Sequence, residues 1–310
     1  MSYSIVVVTW ECADYLAALV ASMNRRLDGS QELVVVDNAS SDDPAAALEA
    51  WRGSRVFVQL DENLGFGAAN NIGVRKASAE AVVLLNPDCE LVDASLDDLA
   101  RVALELGALV GPRVLNPDGS WQPSASGCPV GLWPWFQVLV PGRFSPSAIR
   151  RRIEPWRLKR RTKVAWLTGA CLAAPRSLLE DLGPFDSSIH LYSEDMELGL
   201  RAGKRGVASF FCPETARVVH RTDGSSSRRF SDSGLSLAAR NRRLVVRRLF
   251  GAGAERRAWW AELSKLELRV LTKALLRIER ERDRAALAAW KASRSIEHQG
   301  TDAAGPEDSA

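Results

Sequence analysis

The sequence predicts an α/β protein with a mostly parallel central sheet, extended at its C terminus by basic helices. Three observations carry this. Short β-branched runs alternate with helical patterns over the first 110 residues, at the spacing of strand–helix–strand units. Polar residues stand at the carboxyl ends of those runs, where open α/β sheets bind ligands. Residues 235–294 read as helix almost throughout, with Lys and Arg in excess.

Taken in order, "SIVVV" (4–8) is a buried strand and "YLAALVASM" a helix. "ELVVVDNASSD" is a second strand ending in Asp37 and a polar turn; a helix around 44–51 leads to a third, "RVFVQL". "NLGFGAANNIGVRKA" is a Gly-rich turn opening a helix, and "AVVLLNPD" a fourth strand. Pro87 lacks the N–H that a sheet ladder needs, so Asp88 falls just past the strand end, on a turn facing a cleft. Beyond 110, "GPRVLNPDGSWQPSASG" has hairpin chemistry and "LWPWFQVLVPGRF" is apolar and Trp-rich. "VAWLTGACLAAPRSLLEDLG" reads as strand then helix, "FDSSIHLYSEDMELGLRAGKRG" as loop then helix, and "VASFFCPETARVVH" as a strand pair ending at His220. The expected organisation is a unit over 1–230, with halves 1–110 and 111–230 and a basic insert at 143–163. A basic amphipathic helical extension follows at 231–294, then a polar, disordered tail at 295–310.

The chain has 310 residues, 46% hydrophobic and 25% charged, as in ordinary globular proteins. No run of about 18 apolar residues marks a membrane span, and the first residues read as a core strand rather than a signal peptide. Five scattered cysteines without a CxxC pair fit a reducing cytosol and argue against a structural zinc site. The net charge of +3 hides an asymmetry. Residues 143–163 hold nine Lys/Arg against one acid, residues 240–294 sixteen against six, and the rest, outside the tail, sixteen against 27. An acidic body thus carries two basic segments.

Four stretches bear chemistry. "NLGFGAANNIG" has Gly65 and Gly67 but Asn70 at the third glycine position of a dinucleotide fingerprint, which weakens that reading. Its helix start could still take a phosphate, or serve only for close packing. Asn86 and Asp88 flank a proline at a strand end, as an Asx-turn or as one ligand to a cation shared with phosphate oxygens. Glu194 and Asp195 open a helix, as dipole-stabilised caps or as a general base. His220 could offer a neutral imidazole to a divalent ion or be an ordinary strand-end residue.

In their order and spacing, "VVVTWE", "VVDNASSD", "NLGFGAANNIG", "LLNPDCEL", "WLTGAC", "YSEDMELGLR" and His220 resemble family 2 glycosyltransferases of the GT-A fold, most closely the bacterial rhamnosyltransferase-like branch, over about residues 3–225. The resemblance implies that Thr9 and Asp37 bind the nucleoside and that Gly65, Asn70 and Asn71 lie beside the nucleotide. Asn86 would approach the ribose, and Asp88, in an NPD form of the family's DxD motif, would coordinate Mg²⁺ or Mn²⁺ on the diphosphate. His220 would complete that metal site. Trp166, Gly169 and Ala170 would shape the sugar and acceptor pocket, and Asp195, beside Glu194, would be the catalytic base. The implied reaction is an inverting transfer from a dTDP- or UDP-sugar, with dTDP-L-rhamnose the favoured donor, to a lipid-linked or polysaccharide acceptor in envelope glycan synthesis. A galactofuranosyl or hexosyl transferase, a sugar nucleotidyltransferase, and a membrane-bound scaffold without turnover are the alternatives.

The basic segments suggest a further partner. Leu263, Leu266, Val270, Ala274, Leu275 and Ile278 recur at helical spacing beside Arg and Lys, after Trp259 and Trp260. Such a helix either lies on an anionic membrane surface or packs on the catalytic domain. No nucleic-acid-reading motif accompanies the charge. The expected location is cytoplasmic, peripheral on the inner face of the membrane.

Overall fold

A computed structural model describes residues 2–93, 96–139, 146–183, 185–221, 225–278 and 281–294, with backbone alone at 139, 147 and 225–233. The tail expected to be disordered lies outside the described residues. β1 (Ser4–Thr9), α1 (Ala13–Arg26), β2 (Glu32–Asp37), α2 (Pro44–Glu49), β3 (Arg55–Gln59), α3 (Phe66–Lys76) and β4 (Ala81–Leu85) follow the expected alternation. Their strands lie parallel in the order β3-β2-β1-β4, and Thr9 pairs with Asp37 at the carboxyl ends of β1 and β2.

The strands are apolar on both faces because helices cover both. Side chains alternate across the sheet. Ile5, Val7, Leu33, Val35 and Val83 meet Leu16, Leu19 and Met23 of α1 together with Leu96 and Leu99 of α4 (Leu96–Leu106). Val6, Val34, Val82 and Leu84 meet Val74 of α3 on the other face, in a cluster with Leu179 and Leu198.

The second half departs from a mostly parallel sheet. β5 (Cys89–Leu91), β6 (Leu109–Gly111), β7 (Arg113–Leu115) and β8 (Ala125–Ser126) are short. The Trp-rich insert forms α5 (Trp133–Leu139) and α6 (Ser147–Ile153). β9 (Thr162–Val164), β10 (Trp166–Leu167) and β11 (Cys171–Pro175) then precede α7 (Arg176–Leu182), α8 (Glu194–Lys204), β12 (Ser209–Phe211) and β13 (Arg217–His220). β11 inserts antiparallel between β4 and β6, so the eight-stranded sheet is mixed, in the order β3-β2-β1-β4-β11-β6-β12-β9. The expected strand pair over 207–220 is not a pair. β12 joins the large sheet, whereas β13 lies between β5 and β7 in a separate three-stranded sheet. Pro213 and the turn from Cys212 to Thr215 separate the two.

The extension consists of α9 (Ser225–Phe250), α10 (Ala252–Leu275) and α11 (Glu281–Ala292), so the boundary drawn at 231 falls inside a helix. Ala239, Trp259, Leu263, Leu266 and Trp290 form its core, and the indole N–H of Trp290 donates to the Trp259 carbonyl at 3.0 Å. α9 attaches the extension to the main domain, with Val245 and Val246 packed against Met196 and Leu200 of α8. The single apolar face expected on α10 is in fact divided. Leu263 and Leu266 are buried, while Leu268, Leu271, Leu275, Leu276 and Ile278 stand exposed. Trp259 is buried and Trp260 is not. No helix among the described residues is long and apolar enough to cross a membrane.

Candidate active site

At the end of β4 the chain turns through Asn86-Pro87-Asp88, closed by the Cys89 amide donating to the Asn86 carbonyl at 3.1 Å. β5 then pairs with β13, setting Cys89 opposite His220. This register brings His220 Nε2 to 3.2 Å from Asp88 Oδ1, with both side chains largely buried. Gln122, from the hairpin after β7, is oriented by donating to Asn116 Oδ1 at 3.0 Å, and its Oε1 lies 2.8 Å from His220 Nδ1. The network therefore assigns the ring proton to Nδ1, and the Nε2 lone pair accepts from Asn86 Nδ2 at 3.3 Å beside Asp88. Gln122 carries no motif that would mark it in the sequence.

This corner suits a hard divalent cation. A carboxylate oxygen and a neutral imidazole nitrogen converge, and Asn86 Oδ1 is buried there with no hydrogen-bond partner. Cys89 is near both but is poorly suited as a ligand. Its Sγ donates to the Ala170 carbonyl at 3.3 Å, and burial pushes its pKa well up, so it stays a thiol.

The second corner is the start of α8. Tyr192 and Ser193 both have positive φ, 65° and 73°, a strained approach that turns the next two carboxylates inward. Asn241 of α9 holds this approach, donating to the Leu191 carbonyl at 2.8 Å and to Tyr192 at 3.3 Å. Asp195 is half-buried; Oδ2 accepts from the Gly169 amide at 3.0 Å and Oδ1 from Met196 at 2.7 Å. Glu194 is buried, and its Oε2 has no partner. Burial, then the neighbouring Asp195, pushes the Glu194 carboxyl up to about 8; burial also raises Asp195. The two carboxyls thus have different surroundings, since only Asp195 is held by amide donors. Glu194 keeps its proton through neutral pH, while the two amide donors to Asp195 oppose the effect of burial on it.

Gly169 and Ala170 join the corners. Gly169 donates to the carboxylate, and the Ala170 carbonyl accepts from the Asn86 amide at 3.0 Å. A Cβ at Gly169 would meet the Phe66 ring at 3.3 Å. Trp166 stands three residues earlier, packed under Gly199 of α8.

The remaining expected residues lie at the ends of β1 and β2 and at the start of and within α3, and are tied into the protein. Thr9 is fully buried, its hydroxyl 3.2 Å from Cys12 Sγ. Asp37, also buried, accepts from Gln59 Nε2 at 2.5 Å and from the Ser40 hydroxyl. Asn70 caps the Phe66 carbonyl within its own helix. Asn71 spends both ends of its amide on the Phe185 backbone. Gly65, at φ +88°, lies against His190, whose carbonyl a Cβ would meet at 2.5 Å. Gly65 and Asn71 thus bind the α3 turn to the 185–190 segment that leads into Asp195.

A mixed sheet of this order, with its polar groups gathered beyond the strand ends, is the GT-A glycosyltransferase fold. The chain belongs to glycosyl transferase family 2, whose model matches residues 4–169, more than half of it. It is 31% identical over 263 residues to an N-acetylglucosaminyl-diphospho-decaprenol L-rhamnosyltransferase of Mycobacterium tuberculosis, covering 78% of this chain and 82% of the relative. It is 33% identical to an O-antigen biosynthesis protein of Myxococcus xanthus, over 72% of this chain and 17% of that longer one. A mannosyltransferase from Pyrobaculum calidifontis, solved with GDP-Man and Mn²⁺, superposes with a TM-score of 0.60 at 18% identity. That match covers 95% of this chain and 87% of the other, and shows the shared fold.

Proposed function

We propose that the protein is an inverting transferase that moves L-rhamnose from dTDP-L-rhamnose to a polyprenyl-diphosphate-linked glycan acceptor during envelope glycan synthesis. The observation that carries this reading is the coupling of a fixed carboxylate, Asp195, to a cation-fitting turn, Asn86–Asp88, through two consecutive residues. The activity of the mycobacterial relative supports the choice of donor and acceptor.

In this reading Asp195 takes the proton of the attacking acceptor hydroxyl at its carboxylate. The Gly169 amide holds that carboxylate in place, and Glu194, neutral beside it, adds no competing charge. Asp88 and His220, with Asn86 Oδ1 adjacent, would hold Mg²⁺ or Mn²⁺. Bound there, the cation screens the charge that develops on the leaving nucleoside diphosphate. Thr9 and Asp37 support the nucleoside end from within the sheet, with Gly65, Asn70 and Asn71 shaping the turn beside it, and Trp166 with Ala170 borders the acceptor side. The acceptor oxygen forms its bond to the anomeric carbon as the bond to the diphosphate oxygen breaks, so one displacement inverts the configuration. The exposed leucines of α10, with basic residues alongside, support docking on an anionic membrane surface, with the site facing the cytoplasm.

The test is transfer from radiolabelled dTDP-L-rhamnose to a prenyl-diphosphate-linked N-acetylhexosamine with Mg²⁺ or Mn²⁺, reading the product's anomeric configuration by NMR. An inverted product supports the reading. Turnover with UDP-sugars alone would replace the donor assignment, and a trapped sugar on Asp195 would overturn the mechanism. Nucleotide binding without any turnover would leave a scaffold.

A further inference from the structure

We infer that a cavity on the acceptor side binds the diphosphate and first isoprene units of the lipid carrier. It has a volume of about 660 Å³ and lies where the α5–α6 insert faces α9 and α10. Its assignment to the acceptor rests on the transferase reading above.

The lining has the chemistry of a diphosphate site. Lys and Arg outnumber carboxylates there by seven to three. Internal pairing leaves an excess of positive charge. Glu262 is shared by Lys265 at 2.6 Å and Arg242 at 3.8 Å, and Asp283, behind the wall, is shared by Arg269 and Lys273. Arg152 packs over the Trp133 ring at 5.4 Å, and the nearby Glu154 is paired with Arg157 at 2.6 Å. Guanidinium groups backed by indole faces suit a diffuse, doubly charged phosphate chain.

One wall of the cavity continues as apolar surface. Leu268 lines it, and Leu271 and Leu275 along the rest of α10, with Leu276 just past its end, stand exposed. Trp135 and Phe136 of α5, the helix packed on α10, are also exposed. A charged cavity opening on an apolar ridge fits an amphiphile with an anionic head and a hydrocarbon tail. Placement relative to the chemistry agrees. Trp166 lines the cavity and is three residues from Gly169, which holds Asp195, so their Cα atoms are at most about 11 Å apart. A sugar attached to the diphosphate would extend from the cavity toward the base.

The direct test is binding of farnesyl diphosphate, followed by tryptophan fluorescence and calorimetry. A chelator is included so that no cation at Asp88 and His220 can hold the diphosphate. Farnesyl diphosphate is expected to bind at least tenfold more tightly than farnesol or inorganic pyrophosphate. The double variant Arg152→Glu/Arg242→Glu should lose at least tenfold, with an unchanged circular dichroism spectrum and dTDP affinity, and Arg52→Glu on the far edge should lose nothing. Equal binding of pyrophosphate would reduce the cavity to a plain anion site, and unchanged binding by the double variant would place the lipid elsewhere; either overturns the inference. Sugar transfer by a wild type that does not bind farnesyl diphosphate overturns the cavity assignment alone. Charge-dependent prenyl diphosphate binding without transfer under any donor overturns the transferase reading and keeps the cavity as a lipid site.

Discussion

The amide of Gly169 donates to Asp195 Oδ2 at 3.0 Å, from a residue whose neighbour, Ala170, accepts from the amide of Asn86. The candidate base and the candidate metal turn are therefore registered to each other by the backbone at the start of β11. Asp195→Asn keeps the shape and an oxygen for the Gly169 amide but cannot accept a proton. It should lower kcat by about 10²–10⁴-fold, the usual contribution of a positioned base, with dTDP affinity unchanged by calorimetry. Because burial raises the Asp195 pKa, the acid limb of wild-type kcat/KM should lie above the usual carboxylate range.

Glu194 sets a pH dependence of stability. Its pKa, about 8 folded against 4.5 in the free group, means that the native state holds a proton the unfolded chain has released across that window. Stability therefore falls as pH rises from about 4.5 through 8, since the native state binds more protons there. Glu194→Gln should remove this component. Thermal unfolding of the two proteins at pH 5 and pH 8.5 checks it, and the variant should gain relative to wild type at the higher pH.

Gln122 fixes the His220 tautomer at 2.8 Å without touching the cation position itself. Gln122→Leu should weaken Mn²⁺ binding by about 10–100-fold, as loss of a ligand's orienting partner does. Calorimetric titration with Mn²⁺ measures it, with Asp88→Ala as the reference for a lost ligand.

Asn241 positions the base from a distant helix. Its amide serves the carbonyls of Leu191 and Tyr192, so Asn241→Ala should cost about 1–3 kcal/mol of stability, as for buried groups left unpaired. It should reduce kcat more than the donor KM, because the residues it releases, Leu191 and Tyr192, stand nearer in the chain to Asp195 than His190, which meets the nucleotide turn. Denaturant unfolding and steady-state kinetics separate the two effects.

The two sides of α10 should respond differently. Leu271→Glu/Leu275→Glu, at positions 61% and 84% exposed, should leave the unfolding midpoint unchanged and reduce flotation with anionic liposomes. Leu263→Ala, in the core with Trp290, should cost about 2–5 kcal/mol. Flotation of the double variant equal to wild type would count against membrane docking by this helix.

The first half of the fold was legible in the sequence because each buried parallel strand is a continuous β-branched run, and each loses that character where its polar end residue begins. Thr9, Asp37 and Asp88 could be placed at strand ends by that change alone. The second half was not, since strands of two to five residues carry little periodicity and the direction of β11 leaves no local trace. Tertiary structure alone decided that His220 faces Asp88, because the register of β13 against β5 is set by pairing between residues far apart in the chain, such as His220 and Cys89. Gln122 and Asn241 gained their roles in the same way, since a lone amide acquires a partner only when remote backbone is brought to it. The spacing on α10 could show a helix but not which leucines Trp259 and Trp290 would cover. Local sequence thus determined the elements and the chemical groups at their ends, and long-range packing determined which of those groups meet.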